Sequence, residues 1–295
     1  MIHTNVLRFR RARYLWWSLL LVAGSLALYA SSRDEQQPSG DTWQGYLLGS
    51  VGVLLIVWLA LLAIRKRRYA STLGTVQGWT SAHIYLGTAL LVVATLHCAF
   101  QFGWNIHTLA YGLMCTVILS GMFGLYQYVH VPKMLADNLQ GGSRAKLFSE
   151  LLDLDKQIRR VIDGCTPEVH TAVDSSIERV TIGGGVWAQL FGRDHSRFLL
   201  PPQKAGASVL ERNVDQQAVI AFIADRIPRA DRSEETARLQ QLLQQLCRRQ
   251  VILRRIRRDI RLHGWLQVWL FVHVPLTVGL IVALAAHIVS TFIYR

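Results

Sequence analysis

Five long apolar segments dominate this chain of 295 residues, in which 51% of the residues are hydrophobic. They occupy residues 14–30, 45–64, 79–102, 107–129 and 265–294. Each is long enough to cross a hydrocarbon core of about 30 Å as a helix that rises about 1.5 Å per residue. The first segment follows four arginines and resembles a secretory signal, but Trp16 and Trp17 favour an interfacial anchor that is retained. The sequence therefore predicts an all-α membrane protein with five transmembrane helices.

The basic residues predict how these helices are oriented. The arginines of residues 8–13 and the basic run 65–68 flank the same side, whereas the first connection carries Asp34, Glu35 and Asp41 against one arginine. By the positive-inside rule we expect a multi-pass protein of the cell inner (plasma) membrane, with a cytoplasmic N-terminus and an external C-terminus. The third and fifth helices then run parallel.

A segment of about 135 residues separates the fourth and fifth helices and is too long for a connector. It divides the chain into helices 1–4 (1–129), a cytoplasmic basic domain (130–264) and helix 5 (265–295). Leucines 147, 151 and 154 predict an amphipathic helix, residues 175–200 predict two or three short strands around a glycine turn, and residues 233–262 return to helix. We therefore expect a small mixed α/β insertion.

Four histidines form two matched pairs in the third and fifth apolar segments. His83 and His97 are fourteen residues apart, as are His273 and His287. Fourteen steps of about 100° fall about 40° short of four turns, so each pair shares one helix face and is separated by about 21 Å. If the helices are parallel, His83 meets His273 at one depth and His97 meets His287 at another. Ionisable side chains inside a membrane are costly, which makes the four residues a functional-site hypothesis.

This pattern suits two non-covalent haem b groups, each with an axial imidazole from both helices, because bis-histidine iron favours one-electron transfer. The four cysteines form no CxxC or CxxCH motif, which argues against c-type haem, zinc or iron–sulfur sites. Small residues on the ligand faces, Gly87, Ala94 and Gly279, would make room for porphyrins, although ordinary helix packing explains them equally well.

Other polar residues have alternative interpretations. His107 is most simply interfacial, with a quinone-site or proton-relay role as the alternative. Seven arginines lie in residues 248–261. They have three interpretations: a positive-inside anchor on membrane lipids, contact with haem propionates, and docking of an acidic electron-transfer partner. No recognition motif accompanies this charge, so we expect no nucleic acid.

The segments TSAHIYLGTALLVVATLHCAF and WLFVHVPLTVGLIVALAAHIVSTF resemble the haem-bearing helices of di-haem b-type membrane cytochromes, of the cytochrome b and ferric-reductase-like transmembrane type. In those families four histidines of two helices hold two stacked haems. The resemblance implies this role for His83, His97, His273 and His287. We expect no flavin or nicotinamide domain after the last helix, so the resemblance implies a partner redox subunit: a flavoprotein, an iron–sulfur protein or a cytochrome.

The function expected from these observations is that of an electron-transfer subunit of a membrane oxidoreductase. It would carry electrons across or into the membrane, between a quinone pool and the partner subunit. One alternative is a self-contained metal or quinone reductase, with an acceptor pocket near Trp104, Asn105 and His107. The other is a haem-free membrane anchor or transporter subunit, in which the four histidines are polar contacts between helices.

Overall fold

The computed structural model describes residues 6–32, 40–68, 72, 74–191, 194–202, 207–230 and 232–293. The chain forms two compact units, which we call the membrane unit (Met1–His130 with Val268–Arg295) and the basic unit (Val131–Gln267). Asp34 and Glu35, which contribute to the predicted orientation, lie outside the described residues, as do residues 294–295.

Five helices of the described chain are long and apolar enough to cross a membrane, which confirms the predicted multi-pass helical architecture. They are α1 (Arg13–Ser32), α2 (Trp43–Arg67), α3 (Val76–His97), α4 (Ile106–Leu139) and α9 (Ser233–Ile293). Thr42 and Thr75 begin α2 and α3, where each hydroxyl accepts a hydrogen bond at 3.1 Å from the backbone N–H three residues later. Many apolar side chains of these helices are exposed, as expected for surfaces that face lipid.

Three helices differ in length from the predicted segments, and α4 continues to Leu139, ten residues beyond the predicted end. Helix α3 ends at His97 rather than near residue 102, because Ala99 and Phe100 have left-handed backbone conformations with φ of 47° and 61°. Helix α9 is continuous for 61 residues, and Pro275 lies inside it. The helix predicted over 233–262 and the fifth apolar segment are thus parts of one helix.

Inside the membrane unit, α3 packs against both α1 and α2. One buried cluster joins Leu48 of α2 to Val93 and Leu96 of α3. A second cluster brings together side chains from four helices: Ile56 and Leu59 of α2, Leu90 of α3, Met114 of α4 and Leu280 of α9. This second cluster connects the two helices that carry the paired histidines.

The basic unit packs shorter helices against the first half of α9. Its other elements are α5 (Arg144–Ile162), α6 (Pro167–Glu178), α7 (Val186–Phe191), β1 (Arg197–Leu200), β2 (Val209–Arg212) and α8 (Gln217–Arg226). Leu147, Leu151 and Leu154 are buried on one face of α5, which confirms the predicted amphipathic helix. They join Leu242 and Leu253 of α9 in a single hydrophobic core.

The strands predicted for residues 175–200 are largely wrong, and the mixed α/β insertion is a helical unit with one small hairpin among the described residues. Residues 175–178 end α6, and residues 186–191 form α7. Only β1 is a strand of that segment, and it pairs antiparallel with β2, with Arg197 opposite Arg212. The buried positions in α6 follow helical spacing, so packing against α5 and α8 overrides the local β propensity of the segment.

A buried arginine lies at the centre of the basic unit. The side chain of Arg249 is fully buried in α9. Its Nε donates a hydrogen bond to Asp155 of α5 at 2.7 Å, and its Nη1 donates to Gln216 before α8, also at 2.7 Å. Removing one partner of a buried ion pair leaves an uncompensated charge, which costs more than the pair contributes.

We therefore expect Arg249→Ala to destabilise the basic unit by about 3–5 kcal/mol, because Asp155 would stay in a poorly solvated position without its cation. Hydrogen–deuterium exchange of α5 amides in the detergent-solubilised chain measures this loss. Arg248→Ala is the matched control, since Arg248 is exposed, and should change stability by less than about 0.5 kcal/mol. Equal exchange in the two variants would contradict the assigned role of Arg249.

Candidate functional site

Both histidines of α3 are oriented by backbone carbonyl groups of α2. His97 Nδ1 lies 2.8 Å from the carbonyl oxygen of Gly45, and His83 Nδ1 lies 3.1 Å from that of Leu59. A carbonyl oxygen only accepts, so Nδ1 carries the proton and donates in both residues. This orientation leaves Nε2 of each ring free of the contact with α2. Metal-binding histidines commonly use the same arrangement, in which a hydrogen bond at one nitrogen directs the other toward the metal.

The histidines of α9 contact polar side chains of α4. His273 Nδ1 lies 2.5 Å from the hydroxyl oxygen of Ser120. The carbonyl oxygen of Ser120 in turn accepts a hydrogen bond at 2.7 Å from the indole N–H of Trp269, one turn before His273. His287 Nδ1 is in direct contact with Nδ1 of His107, so one of these two nitrogens carries the shared proton.

The rings of His97 and His287 lie opposite each other. Their centroids are 6.1 Å apart, and their planes are nearly perpendicular, at 89°. A metal ion about 2 Å from one nitrogen of each imidazole would separate two ring centroids by about 6 Å. The pairing of His97 with His287 expected from parallel helices is therefore present in the structure.

A cavity of about 990 Å³ adjoins this histidine pair. Four helices of the membrane unit contribute to its wall, which includes Gly49, Ala94, His97, His107, Met114 and His287. Its volume lies at the upper end of the range of about 300–1,000 Å³ that small-molecule and cofactor sites occupy. Leu48, Leu90, Leu280 and Leu284 make much of the wall apolar, and Asn105 and Thr108 add polar groups near His107.

Apolar side chains separate the two histidine levels. Leu90 lies seven residues from both His83 and His97, and Leu280 lies seven residues from both His273 and His287. Leu90 and Leu280 belong to the same buried cluster, together with Met114 of α4. We call His97 and His287, which face each other, the outer level and His83 with His273 the inner level, after the predicted orientation of the helices.

Two positions beside the candidate site need glycine, Gly49 on α2 and Gly124 on α4. A Cβ at Gly49 would come within 2.7 Å of Cε1 of His97, and a Cβ at Gly124 would come within 2.0 Å of the Trp269 ring. Both glycines are therefore required for the close approach of a functional side chain. Gly45 and Gly49 form a GxxxG spacing, a signal of close helix packing that was present in the sequence.

The small residues predicted to make room for a cofactor are less closely packed than Gly49 and Gly124. Ala94 lines the cavity beside His97. A Cβ at Gly87 would have its nearest neighbour, Leu59, at 3.9 Å, and a Cβ at Gly279 would meet no atom within 4 Å. Gly87, Ala94 and Gly279 lie on the ligand helices, whereas the closest glycine contacts come from Gly49 and Gly124 on the helices beside them.

Comparisons with protein-family models, with curated proteins and with solved structures found no match. Function is therefore inferred from the geometry of the chain.

Gly124→Ala should destabilise the membrane unit by about 1–3 kcal/mol, because the new methyl group would displace Trp269 from α4 and break its hydrogen bond to Ser120. The thermal unfolding midpoint in detergent measures the effect. Gly112→Ala introduces the same methyl group on the same helix, where a Cβ meets no atom within 4 Å, and should leave the midpoint nearly unchanged. A midpoint for Gly124→Ala equal to that of Gly112→Ala would contradict the proposed close packing.

Proposed function

We propose that this chain is the di-haem b electron-transfer subunit of a membrane oxidoreductase. The observation that carries the proposal is the outer level: His97 and His287, from two helices, face each other with centroids 6.1 Å apart beside a cavity of about 990 Å³. Ionisable side chains inside membrane-spanning helices are by default a functional-site hypothesis.

The facing imidazoles of His97 and His287 match the donor set that haem b needs from a protein. A haem needs only two axial ligands from the protein, since the porphyrin supplies the other four. Haem b held by two imidazoles would accept and release one electron with little change in its ligands.

The residues around each ligand support the same role. The carbonyl groups of Gly45 and Leu59 hold the protons of His97 and His83 at Nδ1, which leaves Nε2 as the candidate ligand atom. The hydroxyl group of Ser120 orients His273 from α4. Each level thus has two imidazoles whose orientation is set by a neighbouring helix.

The spacing of the levels suits conduction across the bilayer. Fourteen helical residues separate the levels by about 21 Å. Leu90, Met114 and Leu280 belong to a buried apolar cluster that lies between them. We propose that electrons pass between the levels, with the N-terminus and the basic unit on the cytoplasmic side of the cell inner membrane.

The polar groups beside the outer level support exchange of electrons with a quinone. His107 contacts His287 and lines the cavity together with Asn105 and Tyr111. Imidazole, amide and phenol groups donate hydrogen bonds of the kind that the carbonyl oxygens of a quinone accept. A flavoprotein, an iron–sulfur protein or another cytochrome would exchange electrons at the opposite side.

Replacing one outer histidine should remove one haem. The chain purified in mild detergent from haem-replete cells should contain about two haems b with low-spin spectra, and His97→Ala or His287→Ala should contain about one. A pyridine haemochrome assay with a reduced-minus-oxidised spectrum measures the content. His83→Ala and His273→Ala should each lose the other haem.

His195→Ala is the control, because His195 is an exposed residue of the basic unit, and its haem content should equal that of the unsubstituted chain. A chain without haem would disprove the proposal and favour a haem-free anchor or transporter subunit. A haem content unchanged in all four histidine variants would assign the ligands to other residues.

Gly49→Ala should affect the outer haem selectively, because its methyl group would come within 2.7 Å of His97 Cε1 and turn the ring away from Gly45. We expect a haem content below that of Gly24→Ala, a control in α1 where a Cβ meets no atom within 4 Å. Potentiometric titration identifies which haem is lost by comparison with His97→Ala. Two unperturbed haems in Gly49→Ala would rule out this packing role.

A further inference from the structure

Helix α7 is the most apolar exposed feature of the basic unit. The exposed fractions of its side chains are 74% for Trp187, 60% for Val186 and 56% for Phe191. The rings of Trp187 and Phe191 are stacked on each other, with centroids 5.8 Å apart and planes within 8°. They form one continuous aromatic surface, which is uncommon on water-facing parts of a protein and usually marks an interaction site.

The connections of α7 hold this surface beside α9. Arg257 of α9 donates a hydrogen bond to the carbonyl group of Thr181 before α7, and its guanidinium group pairs with Asp194 after α7 at 2.8 Å. Gly183 and Gly184 make the turn into the helix with φ of 88° and 115°, conformations that favour glycine. The chain before α7 and the chain after it therefore both contact Arg257 of α9.

The contacts of α7 extend along α9 toward its membrane-spanning part. Leu190 is buried, and its Cδ2 would lie 3.4 Å from a Cβ at Gly264. The Phe191 ring lies against the Trp265 ring, with centroids 6.3 Å apart. Trp265 begins the apolar stretch that continues to the end of α9, whereas Arg258 and Arg261 are exposed on the preceding two turns.

We expect the membrane surface where the arginine-rich part of α9 ends and its apolar part begins, between Arg261 and Trp265. Tryptophan is enriched at this depth because its ring is amphipathic, and arginine just outside it attracts anionic headgroups. Short aromatic segments held at this depth bury their apolar side in the boundary between headgroups and acyl chains. The aromatic surface of α7 is continuous with Trp265, so it lies at the depth where lipid is the available partner.

We infer that α7 is an interfacial anchor, which inserts Trp187 and Phe191 into the lipid leaflet next to Arg261 and Trp265. The partner of α7 is the lipid bilayer. The anchor holds the segment that contains α7, between Thr181 and Asp194, at the membrane surface. This inference depends on the membrane-spanning character of α9 and is independent of haem binding.

Photolabelling from the lipid phase tests the inference on the unmodified chain. The chain is placed in lipid nanodiscs that contain anionic lipid and a diazirine dissolved in the acyl region, and the tryptic peptides are quantified by mass spectrometry after illumination. We expect peptide 180–193, which contains α7, to be labelled roughly tenfold more than peptide 147–156. The second peptide is a matched control, because it includes Leu152, a large apolar side chain that is 61% exposed on α5.

Equal labelling of the two peptides from lipid would overturn the inference. A water-soluble diazirine distinguishes the remaining cases. If α7 is labelled from neither phase, a protein surface such as a second copy of the chain covers it, and the lipid anchor is excluded. If α7 is labelled mainly from water, the surface is solvated, and the anchor is excluded as well.

A double variant provides a second measurement. Trp187→Ser with Phe191→Ser should reduce lipid-phase labelling of peptide 180–193 by roughly tenfold, while the packing of Leu190 on Gly264 is kept. Leu152→Ser is the control and should leave that labelling unchanged. Undiminished labelling in the double variant would contradict insertion through the aromatic rings.

Discussion

Hydrocarbon offers no hydrogen-bonding partner, and this constraint governs the whole membrane unit. Every imidazole proton carried into the apolar helices must find an acceptor within the protein. His97 and His83 use carbonyl groups of α2, whose oxygens keep a second lone pair after the helical hydrogen bond is made. Helix α2 carries no histidine of its own, yet it determines which nitrogen of each ring is available. The chemistry of α3 thus depends on the backbone of its neighbour.

Close packing follows from this hydrogen bonding. An imidazole reaches a backbone carbonyl only where the helices approach closely, and Gly49 removes the side chain that would meet His97. Gly124 has the same effect for Trp269, which allows the indole to reach the carbonyl group of Ser120. The glycines of α2 and α4 are therefore as necessary to the candidate site as the histidines. Gly49 also lines the cavity beside His97.

The sequence was sufficient to predict most of the helical architecture but not the details of the site. The five apolar helices follow from the length of the apolar segments, and the buried face of α5 follows from hydrophobic periodicity; both are local properties. The short strands predicted around Gly183–Gly185 failed, because short apolar runs are compatible with either structure until packing decides. The contacts of His107 with His287, and of Ser120 with His273, join residues more than 150 positions apart and have no local signal.

By itself, the amino-acid sequence determined that five helices are apolar enough to span a membrane and that each histidine pair shares a helix face. Both properties follow from composition and from the period of 3.6 residues per turn. The tertiary structure decided that His97 faces His287, which nitrogen of His83 and His97 is protonated, and where a cavity of about 990 Å³ opens. It also decided that α7 exposes its aromatic rings beside Trp265. These features depend on distances between helices that are far apart in the chain, and such distances are set by the packing of all the helices together.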